Sequence, residues 1–202
     1  MNDDAEAIVG IYQRHATAFR RLRKPIGNER KWFIRFTALV PKGGTVLDLG
    51  CGFGAPVAEA LVIDGATVTG VDTSASLLAE ARNRLPDQTW IEADMRGLDL
   101  QQRFDGVLAW NSFFHLTPHD QRNMFSVFAQ HAQPGAPLMF TSGPEASERI
   151  GEFEGEPLYH ASLDPTEYRD LLNDAGFDVE AFVPEDPEAQ GLTVWLALKR
   201  RT

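Results

Sequence analysis

Cysteine is almost missing from this chain. Cys51 is the only one among 202 residues, so no intrachain disulfide can form and the fold must rest on its core. Long apolar runs are missing too: the stretch Gly106 to Pro118 is well short of the roughly 20 apolar residues that span a bilayer. The first residues, Met1, Asn2, Asp3 and Asp4, lack the basic start and apolar segment of a secretory leader. A cytoplasmic protein is therefore expected, with no membrane partner. Positive charge is in deficit. Lys and Arg number 19 against 29 Asp and Glu, a net charge of −10, which argues against wholesale binding to a polyanion. Repeats and low-complexity tracts are absent. What is present is ordinary globular composition, 43% hydrophobic and 24% charged, in a chain long enough to bury a core without staples.

The charge is unevenly placed. Arg14 to Lys42 holds nine basic residues and one acid, Glu29, whereas Glu145 to Glu188 holds fourteen acids and two bases, Arg149 and Arg169. Two readings follow: two solvated faces that attract each other, or a basic arm that meets an anionic substrate.

Ile8, Ile11, Tyr12, His15 and Phe19 recur at helical steps, and Trp32, Phe33, Phe36 and Leu39 suggest a second helix that ends at Pro41 and Gly43-Gly44. Strand and helix then alternate. Strands are expected at Thr45–Leu49, Thr67–Val71, Thr89–Ile91, Phe104–Trp110 and Pro137–Thr141. Helices are expected at Ala55–Ile63, Ala75–Leu85 and Asp120–His131, and a later one at Pro165–Asn173 stops at Ala175-Gly176. This alternation argues a parallel α/β sheet. Gly143 to Ser162 reads as a long loop. Phe177–Val183 and Gly191–Leu198 are too close in sequence for a parallel crossover, so they should pair antiparallel.

The strongest local signal is Val46-Leu47-Asp48-Leu49-Gly50-Cys51-Gly52-Phe53-Gly54, a buried strand running into glycines that open a helix. Glycines admit positive φ and close backbone approach, and free amides at the helix start would make a polar cradle. Read as Gly50, Gly52 and Ala55, the loop also fits a dinucleotide fingerprint. Acids decide between ligands. Asp72, 22 residues past Gly50 at the end of the second strand, can accept from both ribose hydroxyls. Asp94 follows the third strand, where its carboxylate could accept from an adenine amino group and Met95 could cover the ring. Asp48 lies inside the first strand near the turn. A carboxylate there repels a pyrophosphate and attracts an ammonium or sulfonium, which argues against NAD.

With these segments the chain resembles class I S-adenosylmethionine-dependent methyltransferases of the small-molecule type. The similar segments are Val46–Gly54, Val71-Asp72, Ala93-Asp94-Met95, Asp105–Asn111, and Tyr168–Leu172 with Ala175-Gly176-Phe177. The resemblance implies a doubly wound, seven-stranded, mostly parallel sheet of order 3-2-1-4-5-7-6 with strand 7 antiparallel. It implies one domain over 1–202, with residues 1–40 a helical cap and 41–202 the Rossmann-like core. It also implies S-adenosyl-L-methionine as cofactor. Gly50 and Gly52 would contact its methionine moiety, Asp48 its ammonium, Asp72 the ribose, and Asp94 and Met95 the adenine. Trp110 and Asn111 would lie next to the methyl group, and Cys51, Thr73 and Tyr12 complete the expected cofactor site. The Asn/Asp-Pro-Pro-Tyr/Phe tetrapeptide of amino-group methylases of bases and proteins is replaced by Trp110-Asn111-Ser112-Phe113-Phe114-His115, so a small-molecule acceptor is expected. An RNA or protein acceptor gripped by the basic arm is the alternative, followed by a non-catalytic cofactor-binding module.

Methyl transfer from a sulfonium needs in-line placement and an apolar or aromatic pocket more than covalent help. Trp110, Phe113, Phe114, Tyr12 and Trp32 are aromatic candidates for holding the cationic methyl. His115, Tyr159 and His160 are the candidate catalytic groups that face the acceptor. His115 and His119 have metal-like spacing, but Pro118 separates them and no third ligand is near, so no metal is expected.

Overall fold

The computed structural model describes residues 3–201; Met1, Asn2 and Thr202 lie outside the described residues, and with them part of the acidic start. Helices α1 (Asp3–Arg14), α2 (Ala16–Leu22) and α3 (Arg30–Thr37) come first. The single helix expected from Ile8 to Phe19 is broken at His15, whose backbone leaves helical geometry (φ −105°, ψ 20°) and whose ring meets the Glu156 carboxylate at 2.5 Å.

The alternating part follows as β1 (Thr45–Leu49), α4 (Val57–Ile63), β2 (Thr67–Asp72), α5 (Ala75–Arg84), β3 (Thr89–Glu92), β4 (Gly106–Ala109), α6 (Pro118–His131) and β5 (Pro137–Ser142). Helix α6 starts two residues before its expected position because Thr117 caps Asp120 N–H and Pro118 takes the first turn, where its missing N–H costs nothing. The end comprises α7 (Pro165–Asp174), β8 (Phe177–Asp186) and β9 (Leu192–Lys199). The expected Phe104–Trp110 strand is shorter at both ends.

Seven strands form one sheet in the order β3-β2-β1-β4-β5-β9-β8, with β9 antiparallel to both neighbours. This is the expected order, since β8 and β9 are the sixth and seventh strands of the sheet. Strand residues alternate between two cores. Leu47, Leu49, Val107 and Ala109 face α6 and α7 with Phe113, Phe128, Phe140, Tyr168 and Trp195. Val46, Leu108 and Trp110 face α3, α4 and α5 with Phe33, Phe36 and Leu61. Asp48 shares the parity of Val46, so it points to the α3/α4 side at the top of β1.

The expected loop at Gly143–Ser162 is instead an antiparallel hairpin, β6 (Ser147–Phe153) and β7 (Glu156–Ser162). Its turn is Glu154-Gly155, both at positive φ (52° and 81°), which suits the right-handed twist of a two-residue hairpin. Strand β6 is exposed over most of its length, so the usual apolar alternation is missing from it. Ile8 of α1 packs on Tyr159 and Ala161 of β7, and so the hairpin and α1 form one roof over the sheet.

The oppositely charged segments meet. Arg14 pairs with Glu156, Arg21 with Glu154, and Lys31 with Asp186 and Glu188. Trp195 anchors the α6/α7 core. It is fully buried, stacks on Phe140 with centroids 5.8 Å apart, and donates from Nε1 to Ser142 Oγ at 3.0 Å. Trp195→Ala should lower unfolding free energy by about 3–5 kcal/mol in urea titration; a loss below about 1 kcal/mol would contradict this packing.

Candidate active site

A cleft opens above the carboxyl ends of β1, β2 and β4, roofed by α1. Of the expected residues, Tyr12, Gly50, Gly52, Asp72, Thr73, Asp94, Met95, Asn111 and His115 line it. A smaller hollow adjoins it, lined by Asp48, Gly50, Cys51, Gly52, Asn111, Phe19 and Arg23.

The glycine turn explains why glycine is needed. Gly50 sits at φ 76°, and a Cβ there would lie 2.2 Å from Ser112 Cβ. Its amides are already used. Gly50 and Cys51 N–H both donate to Val71 O (2.8 and 3.1 Å), and Gly52 N–H donates to Asp72 Oδ2 at 2.8 Å. These three amides of the turn are therefore not free, and α4 starts only at Val57. Asp72 Oδ1 accepts from Ser74 N–H at 2.9 Å. The Asp72 carboxylate is thus held rigidly at the end of β2, with its remaining lone pairs available to the cleft.

Asp48 is 2% exposed, and its Oδ2 is buried with no hydrogen-bond partner. Burial raises its pKa to about 7, helped by the nearby Asp72 charge and opposed by Arg23. Sequence reasoning missed Arg23. Burial lowers its pKa, while Tyr12, Asp48 and Glu29 oppose the shift; a guanidinium nonetheless stays charged. Five other cations of the basic arm (Arg14, Arg20, Arg21, Arg30 and Lys31) have carboxylate partners. Arg23 has none within ion-pair distance among the described residues and turns toward the hollow with Phe19. The signal was present in the uneven charge, but sequence alone could not say which base faced inward.

His115 is buried at the cleft wall. Its Nδ1 must donate to the Tyr159 carbonyl at 2.8 Å, so Nε2 accepts from the Tyr12 hydroxyl at 2.9 Å. Burial lowers the His115 pKa to about 4 and raises that of Tyr12 to about 12. A proton on His115 thus costs about 3 kcal/mol more than on an ordinary imidazole. The pair is neutral, and each ring fixes the other.

Several expected side chains are turned away from the main cleft or already engaged, although Asp94 borders the cleft and Cys51 and Trp110 border the hollow. Trp110 is 4% exposed and packs on Phe33 at 4.9 Å on the α3/α4 side, away from the main cleft, because it shares the parity of Leu108. The Cys51 thiol lies against Gly70 behind the loop, and burial raises its pKa. The Asp94 carboxylate, expected free for adenine, is held by Arg96 (Oδ2 to Nη2, 2.7 Å). Tyr159 is buried, donates to Glu148 Oε2 at 2.5 Å, and meets His115 through its carbonyl. His160 stacks between Phe114 and His115 and does not line the cleft. Phe113 belongs to the α6/α7 core, and Trp32 donates to Asp186 Oδ2 at 2.7 Å. Of the aromatic candidates only Tyr12 faces the cleft, joined by Phe19. His119 is exposed and bonds Asn123 on α6, away from His115.

The architecture and the sequence point the same way. The family model described as "Methyltransferase domain" matches residues 46–135. A trans-aconitate 2-methyltransferase of Azoarcus sp. (strain BH72) is 31% identical over 169 residues, covering 67% of this chain and 65% of the relative. Over residues 46–135 the chain is thus similar to S-adenosylmethionine-dependent methyltransferases. A dTDP-3-amino-3,4,6-trideoxy-alpha-D-glucopyranose N,N-dimethyltransferase of Streptomyces venezuelae is 32% identical over 97 residues, 47% of this chain and 40% of the relative. The chain spans about two thirds or less of the length of both relatives. In fold it is similar to magnesium protoporphyrin IX methyltransferase of Synechocystis PCC 6803, solved with bound S-adenosylmethionine (TM-score 0.73, 19% identity, 98% of each chain). Among the described residues no helix is long and apolar enough to cross a membrane.

The buried Asp48 gives a pH test. Its pKa rises from 3.8 unfolded to about 7 folded, so the folded state binds the proton more tightly. The stability this supplies is complete below about pH 3.8 and is lost as pH rises toward 7. A ligand ammonium requires the charged form. Titration with S-adenosylhomocysteine at pH 6 should therefore release a proton, and the release should fade by pH 8.5. Calorimetry in two buffers of different ionisation enthalpy reads this directly; identical heats at pH 6 would contradict it.

Proposed function

We propose that residues 1–202 act as one unit, with residues 1–40 as cap, and that this unit is an S-adenosylmethionine-dependent methyltransferase of a small molecule. One observation carries the reading: a buried, unpartnered Asp48 carboxylate shares a hollow with an ion-pair-free Arg23 beside the glycine turn. That is the charge complement of an amino-acid zwitterion. Asp48 would hold the ammonium and Arg23 the carboxylate. Asp72, fixed by two backbone amides, would accept from the ribose hydroxyls. The Asp94–Arg96 pair and Met95 would border the adenine. When bound, S-adenosylmethionine supplies an electrophilic methyl group on a cationic sulfur.

The chain's own groups prepare for that charge. The Tyr12 hydroxyl donates a hydrogen bond to His115 and so presents oxygen lone pairs to the cleft, where they favour a cation. His115 is a positioning residue in this reading, because its low pKa unsuits it to hold a proton taken from an acceptor. Tyr159 contributes the carbonyl that sets the His115 tautomer, and His160 packs the ring from behind. The acceptor is small because most of the basic arm is neutralised by carboxylates of the same chain, leaving little for a polyanion. The relatives named above act on trans-aconitate and on a dTDP-amino sugar, which supports a metabolite-sized acceptor.

Labelled methyl groups from S-adenosylmethionine should enter the low-molecular-mass fraction of a cell extract. Label in RNA or protein would overturn the acceptor class. Asp72→Ala should weaken S-adenosylhomocysteine at least about tenfold, or about 1.4 kcal/mol; an unchanged Kd removes the ribose assignment. His115→Ala should lower kcat about tenfold or more while the cofactor Kd stays within about threefold. Unaltered kcat would leave His115 a packing residue only.

A further inference from the structure

Gln121 takes no part in the readings above, yet it is fully buried in the first turns of α6. A buried amide has two N–H donors and an oxygen to satisfy, and leaving any of them unpaired is costly. All are satisfied here. Nε2 donates to Leu116 O and to Ala161 O, both at 2.9 Å. Oε1 accepts from the Tyr168 hydroxyl at 2.5 Å, and that hydroxyl accepts in turn from Leu163 N–H at 3.1 Å. Burial pushes the Tyr168 phenol up, so it stays a donor. The Gln121 amide therefore has one orientation: turned over, it would set its oxygen against two carbonyl oxygens.

The two carbonyls belong to the two segments that hold His115. Leu116 directly follows His115 at the end of the short turn Phe113–His115. Ala161 lies in β7, two residues beyond Tyr159, whose carbonyl accepts from His115 Nδ1. One side chain thus ties the turn that carries the ring to the strand that carries the ring's acceptor. A hydrogen-bonded ring keeps its geometry only when the groups behind it are themselves locked.

We propose that Gln121 is a positioning residue for His115 and, through His115, for the Tyr12 hydroxyl, because it fixes the spacing between the turn and β7. Its effect on methyl transfer rests on the methyltransferase reading; its effect on the ring does not.

The full chain is labelled at its histidine nitrogens, and the His115 ring is read by NMR at pH 7, where the buried imidazole is neutral. His115→Ala gives the assignment. The wild type should show a single tautomer, protonated at Nδ1. Gln121→Met keeps the length of the side chain and removes both donors, so the Nε2-protonated form should rise to at least about one part in ten. Tyr168→Phe loosens the same network while leaving both amide donors in place, and should keep the single tautomer. A single tautomer in Gln121→Met would overturn the proposal. So would equal mixing in both variants, since any loosening of the core would then suffice. If Gln121→Met does not fold, the wild type decides. The Gln121 side-chain amide protons and the His115 Nδ1 proton should be exposed by one opening, so that their solvent exchange rises with urea at the same slope; slopes that differ by more than about twofold would contradict it. Gln121→Met should also lower kcat about tenfold while the S-adenosylhomocysteine Kd stays within about threefold. Mixed tautomers with unaltered kcat would remove the role in transfer. Mixed tautomers in the variant of a wild type that does not bind S-adenosylhomocysteine would sink the methyltransferase reading and leave the positioning of the ring standing.

Discussion

A carboxylate buried without a partner cannot be neutral to the molecule that carries it. Asp48 occupies a strand position whose neighbours on the same face, Val46 and the residues around Leu108, are core. An apolar side chain there would pack against α3 and α4 and stabilise the sheet. The acid instead raises its own pKa and weakens the fold as pH rises. Such a cost persists where a ligand offsets it. Arg23, brought over the turn by the segment after α2, supplies the opposite charge at a distance too great for an ion pair. Both line the same hollow beside the glycine turn.

The rest of the site is built to hold that pair in place. The amides of the glycine turn are spent on Val71 O and Asp72, which ties β1 to β2 and fixes the second carboxylate at the same time. The roof is formed by α1 and the β6–β7 hairpin. It is joined through Ile8 and Tyr159, clamped by Arg14 and His15 on Glu156, and coupled to the cleft floor by Tyr12 on His115. One face of α1 therefore both packs on the hairpin and lines the cleft.

Much of this was legible in the residues. Thr45–Leu49 and the antiparallel β8–β9 pair followed from apolar runs, turn chemistry and the short connection, while the order of the sheet came from the family resemblance. The acids at successive strand ends were visible as well. Other features were not. The β6–β7 hairpin lies over the roof with β6 in solvent, so burial imposed no alternation on it, and only Glu154-Gly155 marked the turn. Trp110 follows the parity of β4 onto the α3/α4 face, a consequence of alternation that a nearness argument along the chain overlooked. Arg96 claims Asp94 through a local loop that no periodicity describes. Arg23 was hidden among nine bases, because which of them turns inward is decided by tertiary pairing with carboxylates from 34 to more than a hundred residues away.

The charge pattern at Asp48 and Arg23 is the point on which the account turns. A crystal soaked with S-adenosylhomocysteine tests it most directly. The ligand's ammonium should lie within hydrogen-bond distance of the Asp48 carboxylate and its own carboxylate against the Arg23 guanidinium. Density that places the amino-acid end elsewhere, or a crevice that stays empty at saturating ligand, would contradict the account.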